Sequence, residues 1–244
     1  MQAMIFAAGL GTRLKPLTDT MPKAMVPVGG RPLIDIVLQH LIKQGATEVV
    51  VNVHHFAQQI IDYIESNEWP IAVRISNESD MLLNTGGGLR QAAHLFTNDA
   101  TPILIHNVDI LSNAPIRQFY EQNTTADATL MVSERATQRY LLFDDDMRLR
   151  GWTNIATGEV RSPFADIQPE KLHRYAFSGI HIFSPRLFSL MAEWPQAFPI
   201  MDFYLQICAK ADIRGCLQHN LHLLDVGKLN TLHEAEHFVT ELGW

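Results

Sequence analysis

The chain has 244 residues, room for one large domain or two small ones, and its 47% hydrophobic against 18% charged residues exclude a disordered chain. Nineteen Lys and Arg against 26 Asp and Glu leave a formal charge of −7, so neither nucleic acid nor an anionic membrane surface is expected as a partner, and any basic site has to be local. Cys208 and Cys216 exclude a disulfide framework, no apolar run approaches the ~18 residues of a membrane span, and the first basic residue is Arg13 rather than part of a charged leader, which together predict a cytoplasmic protein.

The apolar run from Ala3 to Ala8 stops at Gly9 and predicts a buried strand that opens into a loop rich in Gly, Thr, Lys and Pro, reaching Gly30. Leu33, Ile34, Val37, Leu38, Leu41 and Ile42 recur at helical spacing between Pro32 and the capping Gly45. The segments 48–53, 71–75 and 102–105 read as strands, and 56–64 and 87–96 as helices, giving the order β-α-β-α-β-α-β. Such alternation implies a mostly parallel sheet with helices on both faces and a ligand at the carboxyl ends of the strands. Beyond Asp127 the pattern changes. Residues 128–132 and 175–183 read as strands, 141–143 and 148–152 as a hairpin around Asp144-Asp145-Asp146, and 185–191 and 200–211 as helices. Strands at 215–218 and 221–224 precede a last helix from about Leu229. With no linker or repeat, residues 1–244 are expected to form one domain, about 1–125 handling a nucleotide and about 126–244 its acceptor.

The richest stretch runs from Ala7 to Thr18. Small residues after a buried strand, Ala8, Gly9 and Gly11, let backbone N–H groups approach a phosphate chain, and Arg13, Lys15 and Lys23 add positive charge to an acidic protein. It is neither of two common phosphate motifs. Leu14 stands where the dinucleotide fingerprint needs its third glycine, and the Gly227-Lys228 pair has His222 and Leu229 at the other obligatory positions of a P-loop.

Ala7-Ala8-Gly9-Leu10-Gly11-Thr12-Arg13-Leu14 with Pro22-Lys23 resembles the signature of the sugar-1-phosphate nucleotidyltransferases. The resemblance continues through Thr85-Gly86-Gly87-Gly88, Asn107-Val108-Asp109, Phe177-Ser178-Gly179-Ile180 and Asp225-Val226-Gly227. It implies the nucleotide-diphospho-sugar transferase fold and a reaction between a nucleoside triphosphate and a sugar 1-phosphate that releases pyrophosphate. By the same resemblance, Ala8, Gly9, Gly11, Thr12, Arg13, Lys23, Thr85, Gly86 and Asn107 bind the nucleotide, with Arg13 and Lys23 catalytic, and Ser178 and Gly179 touch the sugar. Val108, Lys228 and Asn84 depart from the family pattern, and Lys228 is placed to touch phosphate. Asp109 and Asp225 each follow an apolar run, and two hard carboxylates at strand ends suit Mg²⁺; the structural reading of each alone is a turn or cap residue. The Thr85–Gly88 segment suits uracil, which backbone groups can read, and the resemblance implies N-acetylmuramate 1-phosphate as the acceptor. Glu78 or Asp80 could instead supply a carboxylate for guanine, leaving guanylyl transfer to mannose or heptose 1-phosphate open, beside a glycosyltransferase or a noncatalytic nucleotide-sugar binder. His233-Glu234-Ala235-Glu236-His237 matches a zinc-protease pattern but reads as a polar helix surface, and Asp144-x-Asp146 reads as a hairpin tip.

Overall fold

The computed structural model describes residues 1–97, 100–227 and 231–244. Its strands in chain order are β1 (Gln2–Phe6), β2 (Pro27–Val28), β3 (Arg31–Pro32), β4 (Glu48–Val53), β5 (Ala72–Asn77), β6 (Ile103–Asn107) and β7 (Ile110–Ser112), then β8 (Ala128–Ser133), β9 (Arg139–Phe143), β10 (Leu149–Asn154), β11 (Glu159–Arg161), β12 (His173–Phe183), β13 (Ile213–Leu217) and β14 (Leu223–Asp225). The helices are α1 (Leu33–Lys43), α2 (Ala57–Glu65), α3 (Asn84–Ala92), α4 (Ile116–Gln122), α5 (Ile200–Ile207) and α6 (Leu232–Leu242). The expected start of the last helix at Leu229, and Lys228 before it, lie outside the described residues.

The central sheet runs β5-β4-β1-β6-β12-β8-β13. Its β5-β4-β1-β6 portion is parallel throughout, β12 is inserted antiparallel between β6 and β8, and β13 is parallel to β8. Burial on both faces makes β1 and β4 continuous apolar runs rather than alternating ones. Strand alternation still divides them. Ala3 and Ile5 enter a core layer with Leu33, Val37 and Leu41 of α1, Ile60 of α2, Phe119 of α4 and Ala235 of α6. Met4 and Phe6 enter the opposite layer with Leu89 and Ala92 of α3 and Phe203 and Tyr204 of α5. Helices therefore cover both faces, the mixed and mostly parallel architecture that the alternating pattern implies.

Two departures from plain alternation position the site. The first is β12, eleven residues long, which bridges the central sheet and a wing: its first residues pair with β9, which pairs with β10 and then β11, while its end pairs with β6. The predicted hairpin is β9–β10. Asp144 caps its tip by accepting from the Asp146 and Arg148 N–H groups at 3.1 and 2.9 Å. The second is the two-stranded ribbon of β7 and β14, which lies apart from the central sheet and brings Asp225 opposite Ile110. The three residues of β7 and the two turns of α4, seven residues long, are too short to display a clear period, and both escape the sequence reading for that reason.

Candidate active site

The loop that follows β1 and the ends of β6 and β14 border an open cleft. Gly9, Gly11, Thr12, Arg13, Lys23, Thr85, Asn107 and Asp109 line it, together with Phe6 and Gly227. Gly11 takes the left-handed conformation (φ 63°), and its carbonyl accepts from the Leu14 N–H and the Thr18 hydroxyl, both at 2.9 Å, so the loop is folded back on itself. Lys23 opens a short 3₁₀ turn behind Pro22, is 8% exposed, and donates from Nζ to Asp109 Oδ2. Lys15, by contrast, is a surface residue paired with Asp19 at 3.0 Å and does not line this cleft. Arg13 is more than half exposed and stands 3.8 Å from Asp225.

The ribbon brings the two aspartates together. Besides the Asp225–Ile110 register, the Val226 N–H donates to the Asp109 carbonyl at 2.8 Å, making the backbones of the two carboxylate residues immediate neighbours although 116 positions separate them in the chain. Gly227 fits between Asp225 and Arg13, where a Cβ would stand 2.5 Å from the carboxylate and 2.6 Å from the guanidinium. Arg13, Lys23, Asp109 and Asp225 thus form one cluster of alternating charge.

The glycine-rich segment is placed differently from the sequence reading. It is the first half of α3, and of its residues only Asn84 and Thr85 face the clefts. Gly86 is buried, and its N–H donates to the Phe198 carbonyl at 2.8 Å. A Cβ at Gly86 would meet the Phe198 ring at 2.3 Å, one at Gly87 the Gln196 carbonyl at 2.3 Å, and one at Gly88 the Glu78 carboxylate at 2.4 Å. The run serves close packing of a helix on segment 196–198, so Gly86 supports the site rather than lining it. Thr85 does both, for its hydroxyl accepts from the Ile200 N–H at 2.8 Å.

Glu78 also proves to be part of the scaffold. It is 3% exposed, and its carboxylate accepts from Asn52 Nδ2 at 2.7 Å and from the Leu83 N–H at 3.2 Å. Asn52 in turn accepts from the Ala7 N–H at 2.8 Å. This polar chain ties the end of β1 to β4 and to the approach of α3. Burial raises the Glu78 pKa above the usual carboxylate range against the opposing pull of these two hydrogen bonds. Beside the chain lies a groove lined by Phe6, Ala8, Gly9, Leu82, Asn84 and Thr85, with Asn52 at its edge. Asp80 is exposed and, like Glu78, lines neither the cleft nor the groove.

A third cavity adjoins the cleft and shares Phe6, Thr85 and Asn107 with it. Leu141 of β9, Trp152 of β10, Phe177 of β12 and Pro199 supply apolar walls; Arg135, Thr137, Arg139 and His181 supply polar groups. Ser178 and Gly179 are absent from its lining. Ser178 is 1% exposed, and strand alternation turns it away from the face that carries Phe177. Gly179 has φ 74°, where the pairing of β12 with β8 slips, and packs against Asn107 and Ile110. The positive φ and the close approach both need glycine. The residues that reach the cavity are their neighbours Phe177 and His181. His181 is 1% exposed, neither ring nitrogen has a hydrogen-bond partner, and burial lowers its pKa to about 3, so it is a neutral imidazole.

Elsewhere, His233 and His237 lie on the exposed side of α6 with ring centroids 4.9 Å apart, while Ala235 between them faces the core.

A parallel sheet with a folded loop after its first strand and an adjoining cavity roofed by an antiparallel wing is the nucleotide-diphospho-sugar transferase fold. Solved structures of that fold superpose over nearly the whole chain: HddC from Yersinia pseudotuberculosis complexed with GMP-PN has a TM-score of 0.75 at 21% identity, covering 97% of this chain and 98% of that one. A UDP-glucose pyrophosphorylase complexed with UDP-glucose gives 0.76 at 16% identity, covering 98% of both chains. The chain belongs to the nucleotidyl transferase family, whose sequence model matches residues 2–241. Among named relatives, the N-acetylmuramate alpha-1-phosphate uridylyltransferase of Caulobacter vibrioides is 42% identical over 110 residues, 44% of this chain and 45% of that protein. The enzyme of the same name from Neisseria meningitidis serogroup B is 30% identical over 77% of both chains. A mannose-1-phosphate guanyltransferase of Pichia angusta is 27% identical over 82% of this chain and 56% of its own length. The chain thus spans about half the length of the first two of the curated relatives it matches in Caulobacter and Pichia.

Proposed function

We propose that the protein is a sugar-1-phosphate nucleotidyltransferase that transfers a uridylyl group from UTP to an N-acetylated amino-sugar 1-phosphate, N-acetylmuramate 1-phosphate first, and releases pyrophosphate. The observation that carries this reading is the pair of adjoining cavities, one rich in backbone amides and cations and one walled by aromatic and aliphatic side chains, which meet at Phe6, Thr85 and Asn107. A triphosphate and a sugar 1-phosphate are two anions that must come together, and a junction of this kind is where they would meet.

The sugar-phosphate oxygen attacks the α-phosphorus in line with the departing pyrophosphate. A phosphate oxygen is itself the nucleophile, so the protein's work is positioning and charge neutralisation. Two unit negative charges about 4 Å apart repel by roughly 4 kcal/mol at an effective dielectric near 20, which sets the need for fixed cations. Arg13, more than half exposed at the mouth, takes the β- and γ-phosphates and the leaving pyrophosphate. Lys23 is held by Asp109 inside the cleft and neutralises charge at the reacting phosphate. The Gly9–Thr12 backbone follows the phosphate chain, and the groove beside Ala8 and Thr85 takes the base.

Asp109 and Asp225 fit Mg²⁺, because the donor set is two hard carboxylates on neighbouring backbones beside the phosphate loop, and Mg²⁺ takes one or two carboxylates with water and substrate phosphates completing its shell. When bound there, Mg²⁺ supplies charge neutralisation to the triphosphate. Each carboxylate also stands beside a cation, Asp109 beside Lys23 and Asp225 beside Arg13.

The displaced position of Glu78 and Asp80 favours uracil over guanine, since neither carboxylate borders the groove that would read a guanine edge. Initial rates of pyrophosphate formation, with all four ribonucleoside triphosphates tested against N-acetylmuramate, N-acetylglucosamine, glucose, mannose and heptose 1-phosphates, test the reading. UTP with an N-acetylated amino-sugar phosphate is the expected maximum. A GTP preference, or transfer only to a neutral hexose or heptose phosphate, overturns the substrate assignment, and no pyrophosphate with any pair overturns the activity.

A further inference from the structure

The acceptor cavity carries two positive charges that the phosphate cleft does not share. Arg135 and Arg139 line the cavity walled by Leu141, Trp152 and Phe177 and are absent from the lining around Arg13 and Lys23. Many arginines of this acidic chain hold a carboxylate within 4.0 Å, among them Arg31, Arg74, Arg161 and Arg214. Arg135 and Arg139 hold none among the described residues. The exposed guanidinium of Arg135 donates from Nη2 to the Phe177 carbonyl at 3.3 Å, which ties it to the cavity wall.

Their placement is built into the wing. Strand alternation puts Arg139 on the same face of β9 as Leu141, which lines the cavity. The turn before β9 is fixed by the Thr137 N–H donating to the Tyr140 hydroxyl at 3.0 Å and the Arg139 N–H donating to the Thr137 hydroxyl at 3.4 Å, so Arg135 and Arg139 are presented by one stiffened corner. Two exposed guanidinium groups without a carboxylate partner among the described residues, at the rim of a cavity that otherwise offers apolar walls, Thr85, Asn107, Thr137 and a neutral imidazole, match a planar anion.

We propose that Arg135 and Arg139 select an acceptor that carries a carboxylate in addition to its 1-phosphate, binding that carboxylate on the side of the cavity away from the phosphate cleft. This rests on the nucleotidyltransferase reading above and deepens it by naming the side chains that read the acceptor's second charge. The specificity it adds comes from charge, so a neutral acceptor of the same shape leaves two cations facing an uncharged group.

The test compares N-acetylmuramate 1-phosphate with its lactyl methyl ester, which differ by one negative charge and keep the same 1-phosphate. The unaltered protein is expected to prefer the acid by roughly tenfold or more in kcat/KM, with the difference in KM, and the preference should shrink as salt is raised. Arg135→Gln and Arg139→Gln together should bring the acid-to-ester ratio close to one, and Arg135→Lys with Arg139→Lys should restore part of it. Equal rates on acid and ester in the unaltered protein overturn the proposal while leaving the nucleotidyltransferase reading standing. A preference that survives the double glutamine variant overturns it as well, because another group then reads the carboxylate. If neither acceptor yields pyrophosphate with any triphosphate, the parent reading falls and takes this one with it. Equal loss on acid and ester in the double variant, with the ratio unchanged, would place the arginines on the shared 1-phosphate and also overturn it.

Discussion

The phosphate cleft and the acceptor cavity share a border at Phe6, Thr85 and Asn107, yet they are made of different material. The cleft is made mainly by backbone: a loop of small residues after β1, with Arg13 and Lys23 nearby in sequence. The acceptor cavity is made of side chains from β9, β10, β12 and the start of α5, drawn from positions 135 to 201 and set opposite Phe6. A phosphate chain is met by N–H groups and charge, which many sequences of this type supply in one short stretch. A sugar is met by walls and a few placed polar groups, which any of several strands can supply.

If the cleft works through charge at the reacting phosphate, the largest effects should come from its buried pair. Lys23→Ala is expected to lower kcat by roughly 100- to 1000-fold, the usual cost of one preorganised stabilising donor, while Lys15→Ala, on the surface pair with Asp19, should change little. Steady-state kinetics on both variants decides it, and equal small effects would remove Lys23 from the reaction. Asp109→Ala and Asp225→Ala should likewise abolish most turnover with the fold intact by circular dichroism. Turnover should also be lost in excess chelator and return with Mg²⁺; full activity in chelator would break the metal assignment.

The next effect separates scaffold from contact. If the Gly86–Gly88 run serves packing, Gly87→Ala should destabilise the fold by about 1–3 kcal/mol, because its methyl group meets a main-chain carbonyl that can yield only by moving segment 196–198. Thermal unfolding should show a fall of several degrees. A variant of full stability that has lost triphosphate binding would return the glycines to the nucleotide. Glu78→Gln sharpens the same point: Asn52 and Leu83 donate to different carboxylate oxygens, one of which becomes an NH2 facing a donor, so about 1–3 kcal/mol of stability should go, with no change in preference between UTP and GTP.

A smaller, graded effect comes from pH. His40, His106 and His181 are buried neutral with pKa values lowered by burial to about 3, 4 and 3 from 6.5. The unfolded chain takes up these protons first as pH falls, so stability is full above about 6.5 and is lost below it, by roughly 1.4 kcal/mol per pH unit for each histidine. Chemical denaturation at pH 7, 6 and 5 should show the slope, and His181→Phe should reduce it by about a third. A flat profile between pH 7 and 5 would deny that the cavity floor is a neutral imidazole.

The residues legible in the sequence are those whose chemistry depends on near neighbours. Val49 to Val53 declare a buried strand, the spacing of Leu33 to Ile42 declares a helix, and Gly9, Gly11, Arg13 and Lys23 declare a phosphate loop, because backbone conformation and local charge are set within a few residues. Asp109 and Asp225 were legible as strand-end carboxylates facing one cleft, whereas the ribbon that joins them was not, since it pairs the three residues of β7 with a strand more than a hundred positions away. Gly86, Ser178 and Gly179 look like ligand contacts in a motif, and only packing reveals that Gly86 seats a helix, that alternation turns Ser178 away and that Gly179 permits a slip in β12. Arg135, Arg139 and His181 carry no local mark at all. An arginine in a polar turn and a histidine in an apolar strand are ordinary until the sheet closes around them. Local sequence determined the strands, the main helices and the phosphate loop, because short-range sterics and burial period are written residue by residue; tertiary structure alone decided the acceptor cavity, because its surface exists only where distant strands meet.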